Sequence, residues 1–483
     1  MVYGDHAISG AGSLSDNWRQ GMLMSRCNFW TRLGGVLLVG AISMQASGVE
    51  DPKPRVEVEE SVTPYLTEGR ELSHWCLWGY GAPHLVRFGQ EVFVSLIDTN
   101  SGLEPLCNNR WLLWRRGADG WRIVQQGDKY IEFQPCPLGV LADGRLLLSV
   151  NPHERPGGKG RCHPQILQLS ASDMTAEPRI LQPAWPEDAE FLEHTYRGLG
   201  VDAATGEILL LSLLQEEEVY CANFADSSGQ WRDLGRMRFP IRACYPQVVL
   251  RNRTAHVLAI GDIHEPVKAY RELKGGKEGR FPGFVFRRLF YTFNPDVRHC
   301  VFGPALEVDS VEDSGGDIDN LDLHVDALGQ VHVLYLRHPY TDELIRQRFF
   351  PDKRPTSQLI EAVIDSGRVV SRQVLLDQDA PIAEGPMAGR KLVPGFARYH
   401  LTPQGDLWTI LYASGSGEED MYLLRLAPAP TGSLIPLGMK HPLSRFFTNT
   451  VRGGSAPSST IDLFGGDQRS SPSQLRYARV VLP

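Results

Sequence analysis

Leu323-His324-Val325-Asp326-Ala327-Leu328-Gly329-Gln330-Val331-His332-Val333-Leu334-Tyr335 reads as two short β-strands around a tight turn. Apolar residues recur at every second position on either side of Asp326–Gln330, and Gly329 suits the backbone of the turn. The same design lies upstream at His84–Val94, Val140–Leu148, Leu199–Leu211 and Val248–Leu258. Downstream it recurs at Tyr399–Leu411 and, shortened, at Ser459–Gly465. The turns centre on 89, 144, 206, 253, 329, 405 and 465, a mean spacing of about 63 residues. Most units carry a second hairpin, as in Trp111–Val124, Cys221–Trp231, Ile360–Val370 and Tyr422–Ser433. Periodic four-stranded units predict an all-β chain folded as a single β-propeller over residues 71–483. Seven blades are expected, with six as the alternative count and a two-domain β protein as the rival architecture. The last unit lacks a fourth strand. Val56–Val62, within an N-terminal segment spanning 49–70, is expected to supply it, close the ring and remove two open sheet edges.

The leading residues read differently. Arg26 and Arg32 precede the apolar run Leu33–Ile42, and Ala46-Ser47-Gly48 offers small residues for cleavage. Residues 1–48 are therefore expected to be an upstream extension plus signal peptide, with Met22 or Met24 as the true start. A buried N-terminal helix is the competing reading. The run is too short to span a membrane, which takes about 20 residues. The chain is expected to be exported to a periplasmic or extracellular compartment. One cysteine of the eight, Cys27, falls in the leader. The others are spaced irregularly, which gives neither a disulfide framework nor a zinc pattern. One or two bridges are compatible with an oxidising compartment. The rest suit buried apolar positions.

In a propeller the innermost strand of each blade starts on the face that carries the loops between second and third strands. Residues at those places are the candidates for chemistry. Three such loops are basic, at +2 for Asn151–Pro164, +4 for His264–Arg288 and +2 for Arg337–Gln358, on a chain whose net charge is −8. A basic mouth on an acidic body would focus anionic ligands, whereas the overall acidity argues against nucleic acid as partner. Arg197, Arg242, Arg398 and Arg452 recur at expected strand starts, and a guanidinium fork matches a carboxylate. Inter-blade ion pairing is the plainer role for each. His194, Tyr196 and Tyr245 stand at neighbouring blade starts. Beside an arginine that neutralises a uronate, they have the chemistry to move the proton alpha to its carboxylate; as packing residues they would need only a partner for each polar tip.

Asp313, Asp317 and Asp319 crowd the start of the fifth unit. Asp317 and Asp319 read as paired carboxylates for glycoside cleavage. With Asp313 they are also compatible with calcium, and with simple turn formation. Trp75 and Trp78 are candidates to stack on sugar rings. No cofactor is required by this reading. There is no phosphate-binding glycine loop, nucleophile elbow or zinc-protease helix motif.

The stretch Asn320–Tyr335 and the closing Arg452-Gly-Gly-Ser-Ala-Pro-Ser-Ser-Thr-Ile-Asp-Leu463 resemble the neuraminidase-repeat (BNR), sialidase-like propeller superfamily, over roughly residues 70–483. That superfamily includes sialidases, other glycosidases and uronate polysaccharide lyases. The spacing of a sialidase Asp-box is not intact at Asp226–Trp231, and the early Arg-Ile-Pro motif is missing. The resemblance thus implies a secreted propeller that binds and cleaves an acidic polysaccharide or oligosaccharide, as lyase or glycosidase. The alternative is a non-catalytic glycan- or protein-binding propeller. Oligomeric state is left open.

Overall fold

The computed structural model describes residues 53–62, 72–73, 76–79, 81–275, 283–415, 417–428, 432–466 and 474–483. The expected leader and Trp75 lie outside the described residues. Seven four-stranded antiparallel sheets follow one another along the chain. Their innermost strands are Leu85–Phe88, Leu138–Val140, Arg197–Asp202, Ala243–Arg251, Asp317–Val325, Val393–Leu401 and Arg445–Thr448. Each packs on the next, and the seventh returns to the first through a parallel bridge between Asn449 and Leu85. The molecule is a seven-bladed β-propeller, and the count expected from the hairpin repeat holds.

Strand Arg55–Ser61 pairs antiparallel with Arg476–Val481 and forms the outer edge of the last blade. This strand also clasps blade one. Glu60 accepts hydrogen bonds from Arg116 Nε at 2.7 Å and Trp121 Nε1 at 2.8 Å. Around that seam Trp121 packs edge-on to Phe464 and Tyr477, each 5.4 Å away, and Arg116 lies over the Tyr477 ring.

The last unit departs from the sequence expectation. Ser459–Gly465 was expected to be an innermost hairpin turning at 465. It belongs instead to the second strand, Thr460–Gly466. The innermost strand is Arg445–Thr448, and the connection between the two contains a 3-10 turn, Val451–Gly453. Arg452 therefore stands past the end of an innermost strand rather than at its start. The 3-10 turn touches the innermost strands of blades two, three and four, so it fills the ring's axis. Gly454 makes this fit: its φ is +89°, and an added Cβ would come within 1.9 Å of Val140 O.

Behind that plug Arg452 donates from Nε and Nη2 to Asp322 Oδ1 at 2.9 and 2.6 Å. Asp322 belongs to blade five, so the pair spans the channel past blade six. Tyr399 N donates to Asp322 Oδ2 at 2.8 Å, and Arg398 donates to Leu321 O. Burial lowers Arg398 to about 10, and Asp322 opposes that shift.

If the N-terminal strand is the clasp, Glu60→Ala should destabilise the protein by about 1–2 kcal/mol. Urea unfolding would show it as a lower midpoint with unchanged slope; an unchanged midpoint would mean the clasp carries no stability.

Candidate functional site

The face holding the strand starts carries an aromatic bowl. The segment entering blade one runs across the channel mouth: Trp78 lies 6.1 Å from Tyr245 of blade four and 6.4 Å from Phe133, ring centre to ring centre. Gly81 permits this path, since at φ +77° its absent Cβ would stand 2.1 Å from the Gln247 side chain. Phe133 packs on His194 at 4.5 Å, Tyr196 on Tyr245 at 4.9 Å, and Tyr245 on Phe286 at 6.2 Å. Trp78, Phe133, His194, Tyr245 and Phe286 are all half-buried. Such rings present faces to solvent without being loose.

Tyr245 is aimed by a distortion of its strand. Register between the first two strands of blade four shifts between Cys244 and Gln247, and Pro246 sits in the gap. Proline donates no ladder bond, so a bulge suits it. Tyr245 itself has φ +51°. A non-glycine residue in that region costs on the order of 1 kcal/mol and persists only where its surroundings fix it. Here Asn320 Nδ2 donates to Tyr245 O at 3.0 Å, and Gln247 Nε2 donates to Asn320 O at 2.8 Å.

Arg242 lies over the Tyr196 ring at 5.6 Å and the Phe284 ring at 5.4 Å. Its Nη1 donates to the Asp262 carboxylate and to Asp262 O. Burial raises the Asp262 carboxyl, while Arg242 and the Tyr196 hydroxyl hold it down. Burial pushes the Tyr196 phenol above its usual range, so it stays protonated at neutral pH. His194 Nδ1 faces Glu193 Oε1 at 3.3 Å, which orients the ring, and the side chain is 31% exposed.

The four arginines do not form one clamp. Arg197 donates Nη1 to Ser149 O at 2.5 Å and lies 3.9 Å from Glu132, buried between blades two and three. Arg398 and Arg452 serve the channel core. Only Arg242 stands at the bowl. The reason is local: innermost strands leave carbonyls unpaired toward the axis, and buried guanidinium groups satisfy them.

The basic mouth is partly neutralised. Arg161 pairs with Glu190, Lys274 with Glu265 and Asp342, Arg287 with Glu265, Arg288 with Glu307, Arg337 with Asp309 and Arg354 with Asp379.

Asp317 and Asp319 share one face of their strand, at the rim beyond Phe286. Asp317 is open to solvent by area yet sits in a recess. Burial, then the Asp319 charge, raises its carboxyl to about 6. Asp319 lies 3.4 Å from His338 Nε2. Asp313 is turned away on a 3-10 turn whose carbonyl accepts from Tyr270. Among the described residues no group of three or more acidic, histidine or cysteine side chains is placed to hold a metal ion.

Sequence reading missed Phe133, Phe286, Asp262 and Glu132. None carries a motif; each reaches the site from a connection or a strand end whose position only the ring defines. Glu132 is buried beneath Phe133. Asn151 N donates to both its oxygens, and burial raises its carboxyl to about 7 despite Arg197.

The opposite mouth holds a cavity of about 570 Å³ lined by Phe88, Leu141, Val201, Leu250, Val325 and Pro457. Its charged residues are engaged: Arg87 with Asp462, Arg452 with Asp322, Asp202 with Asn252 N, and Arg251 with the carbonyls of Val325 and Asp326. Its wall is mainly hydrocarbon and its polar lining is held by partners within the protein, so the bowl is taken as the candidate site.

No family model matches the chain, and no curated protein is similar to it in sequence. Among solved structures it is similar to a PL25 polysaccharide lyase, an ulvan lyase, at 9% identity and TM-score 0.50, covering 84% of this chain and 93% of that one. It is similar to the Penicillium chrysogenum α-L-arabinanase at 8% identity and TM-score 0.37, covering 89% and 97%. It is also similar to the β-propeller domain of the Trilobed protease from Pyrococcus furiosus at 10% identity and TM-score 0.43, covering 86% and 94%. The likeness to the lyase shows architecture alone, and activity has to be argued from the site.

Glu132 gives a signed test of that environment. Its folded carboxyl keeps a proton that the unfolded chain releases near 4.5. The stability it contributes is full below pH 4.5 and is lost as pH rises through 7, by on the order of 3 kcal/mol. The difference in unfolding free energy between wild type and Glu132→Gln should change by that amount across pH 4.5–7; a difference independent of pH would show that burial does not hold the proton.

Proposed function

We propose that the protein is an exported polysaccharide lyase acting on an acidic, uronate-containing glycan at the aromatic bowl. The observation that carries this reading is the run of packed rings that links His194, through Phe133 and Trp78, to Tyr245 and, through Tyr196, to Arg242. Trp78, Phe133 and Phe286 supply faces for sugar rings, whose axial C–H bonds pack on aromatic carbon. Arg242 uses Nη1 on Asp262 and keeps its other nitrogens for a uronate carboxylate. Neutralising that carboxylate lowers the barrier to removing the proton alpha to it.

In this reading His194 is the base. Glu193 holds Nδ1, so Nε2 is left for the substrate. The proton comes from C5 of the uronate, and the electron pair moves to form the C4–C5 double bond. The C4–O bond breaks, and the leaving oxygen takes a proton from Tyr245. Tyr196, kept protonated by burial, positions Tyr245 and Asp262 instead of acting as base. The fold likeness to an ulvan lyase and an arabinanase is consistent with a carbohydrate-active propeller and does not choose between elimination and hydrolysis. Asp317 and Asp319 favour hydrolysis less, because Asp319 faces His338 and the pair lies at the rim. The sialidase-like resemblance is kept at the level of the fold.

The test is incubation of the mature protein with a panel of uronate-containing glycans, following the ultraviolet absorbance of an unsaturated uronate and new reducing ends. Both should appear together. His194→Ala and Tyr245→Phe should each lower kcat by at least about 100-fold, and Arg242→Lys should raise KM as well. New reducing ends without absorbance would indicate a hydrolase. Glycan capture with no product, unaffected by these substitutions, would indicate a binding propeller.

A further inference from the structure

Two loops meet beside the bowl. Residues 100–108 join the second and third strands of blade one, and residues 151–164 do the same in blade two. Their backbones touch: Gly157 N donates to Cys107 O at 2.9 Å, and Gly158 N reaches Glu104 O at 3.4 Å. The approach is close enough that a Cβ on Gly157 would stand 3.1 Å from Glu104 N. At this seam the thiols of Cys107 and Cys162 lie within hydrogen-bonding distance of each other. Both are buried and are free thiols in this structure. Cys107 and the preceding Leu106 have φ +46° and +71°, two successive non-glycine residues in the left-handed region. Such a backbone holds only where something fixes it.

We propose that Cys107 and Cys162 are joined by a disulfide in the mature protein, a cross-link that locks these two loops beside His194. Two S–H bonds are lost and one S–S bond forms. Two electrons and two protons pass by thiol–disulfide exchange to a disulfide-bearing oxidoreductase of the exporting compartment, which leaves as its dithiol. The cross-link closes a long loop, the case in which a disulfide constrains the unfolded chain most.

The lock has a route to the site. Gly160, two residues before Cys162, donates its N–H to Glu193 Oε2 at 3.0 Å, and Glu193 Oε1 faces His194. His153, paired with Cys162, donates its N–H to Ile131 O, next to Glu132 and Phe133. The cross-link thus braces both sides of the Phe133–His194 contact. It rests on export and on the contact of the two loops that carry Cys107 and Cys162, and it stands whether or not the glycan reading does.

The direct test uses the full chain exported to an oxidising compartment. Free thiols are alkylated without reductant, the protein is digested, and the peptides are mapped by mass. The peptides holding Cys107 and Cys162 should appear joined and lighter by two hydrogens, while exposed Cys300 should be alkylated. Alkylation of both Cys107 and Cys162, or either one joined to a different cysteine, would overturn the proposal. Reduction of the wild type should lower its thermal midpoint by on the order of 5 °C. The combined Cys107→Ser and Cys162→Ser variant should show no further loss on reduction. If that variant does not fold, the peptide map of the wild type decides alone; a midpoint indifferent to reduction would contradict the locking role.

Discussion

A ring of seven sheets has to fill its own axis. Each innermost strand turns one unpaired edge toward that axis, and buried backbone groups left without partners cost about as much as a lost hydrogen bond. In this chain buried arginines cap carbonyls, and one carboxylate ties three blades together. Asp322 accepts from Leu323 N, Tyr399 N and two nitrogens of Arg452, so blades five, six and seven are tied through a single side chain. Without it the buried Arg452 would lose its counter-charge, and breaking a buried pair of this kind costs about 3–5 kcal/mol. The 3-10 turn that carries Arg452 closes the axis against blades two, three and four.

That closure shapes the candidate site. A propeller with an open channel can take a ligand down its axis. Here the Val451–Gly453 turn packs on the innermost strands of blades two, three and four, and the strand-start face is read as a floor. The segment around Trp78 then crosses that floor and brings an aromatic ring to blade four. His194, Tyr196, Tyr245 and Arg242 come from only two neighbouring blades, yet they share a wall with Trp78 and Phe133 from the entry to the ring and from its first crossing. The arrangement supplies ring faces, one half-buried histidine and one arginine, which is the inventory the proposed acidic sugar needs. Buried arginines elsewhere in the ring act as mortar.

The hairpin repeat made the architecture legible, because alternation and turn chemistry are local and recur unit after unit. The closing strand was legible for a related reason: a missing fourth strand at one end and a spare one at the other. The last blade was misread because its first strand, Arg445–Thr448, is short and lacks a tight turn, while Thr460–Gly466 imitates the start of a hairpin. That error carried Arg452 to the wrong end of its strand. Of the candidate site, Tyr245, Tyr196 and His194 were legible from position alone, since blade starts converge. The arginine clamp was not formed, because nothing in sequence distinguishes an arginine facing a ligand from one capping carbonyls between blades. Phe133, Phe286 and Asp262 were invisible for want of any pattern.

The central claim is that an acidic sugar sits in the bowl with its carboxylate on Arg242. A structure of the protein with a uronate-containing oligosaccharide, obtained with His194→Ala to prevent turnover, tests it most directly. The account predicts sugar rings against Trp78 and Phe133 and a carboxylate within hydrogen-bonding distance of Arg242. Sugar bound in the cavity of the opposite mouth, or in the bowl with its carboxylate turned to solvent, would contradict it.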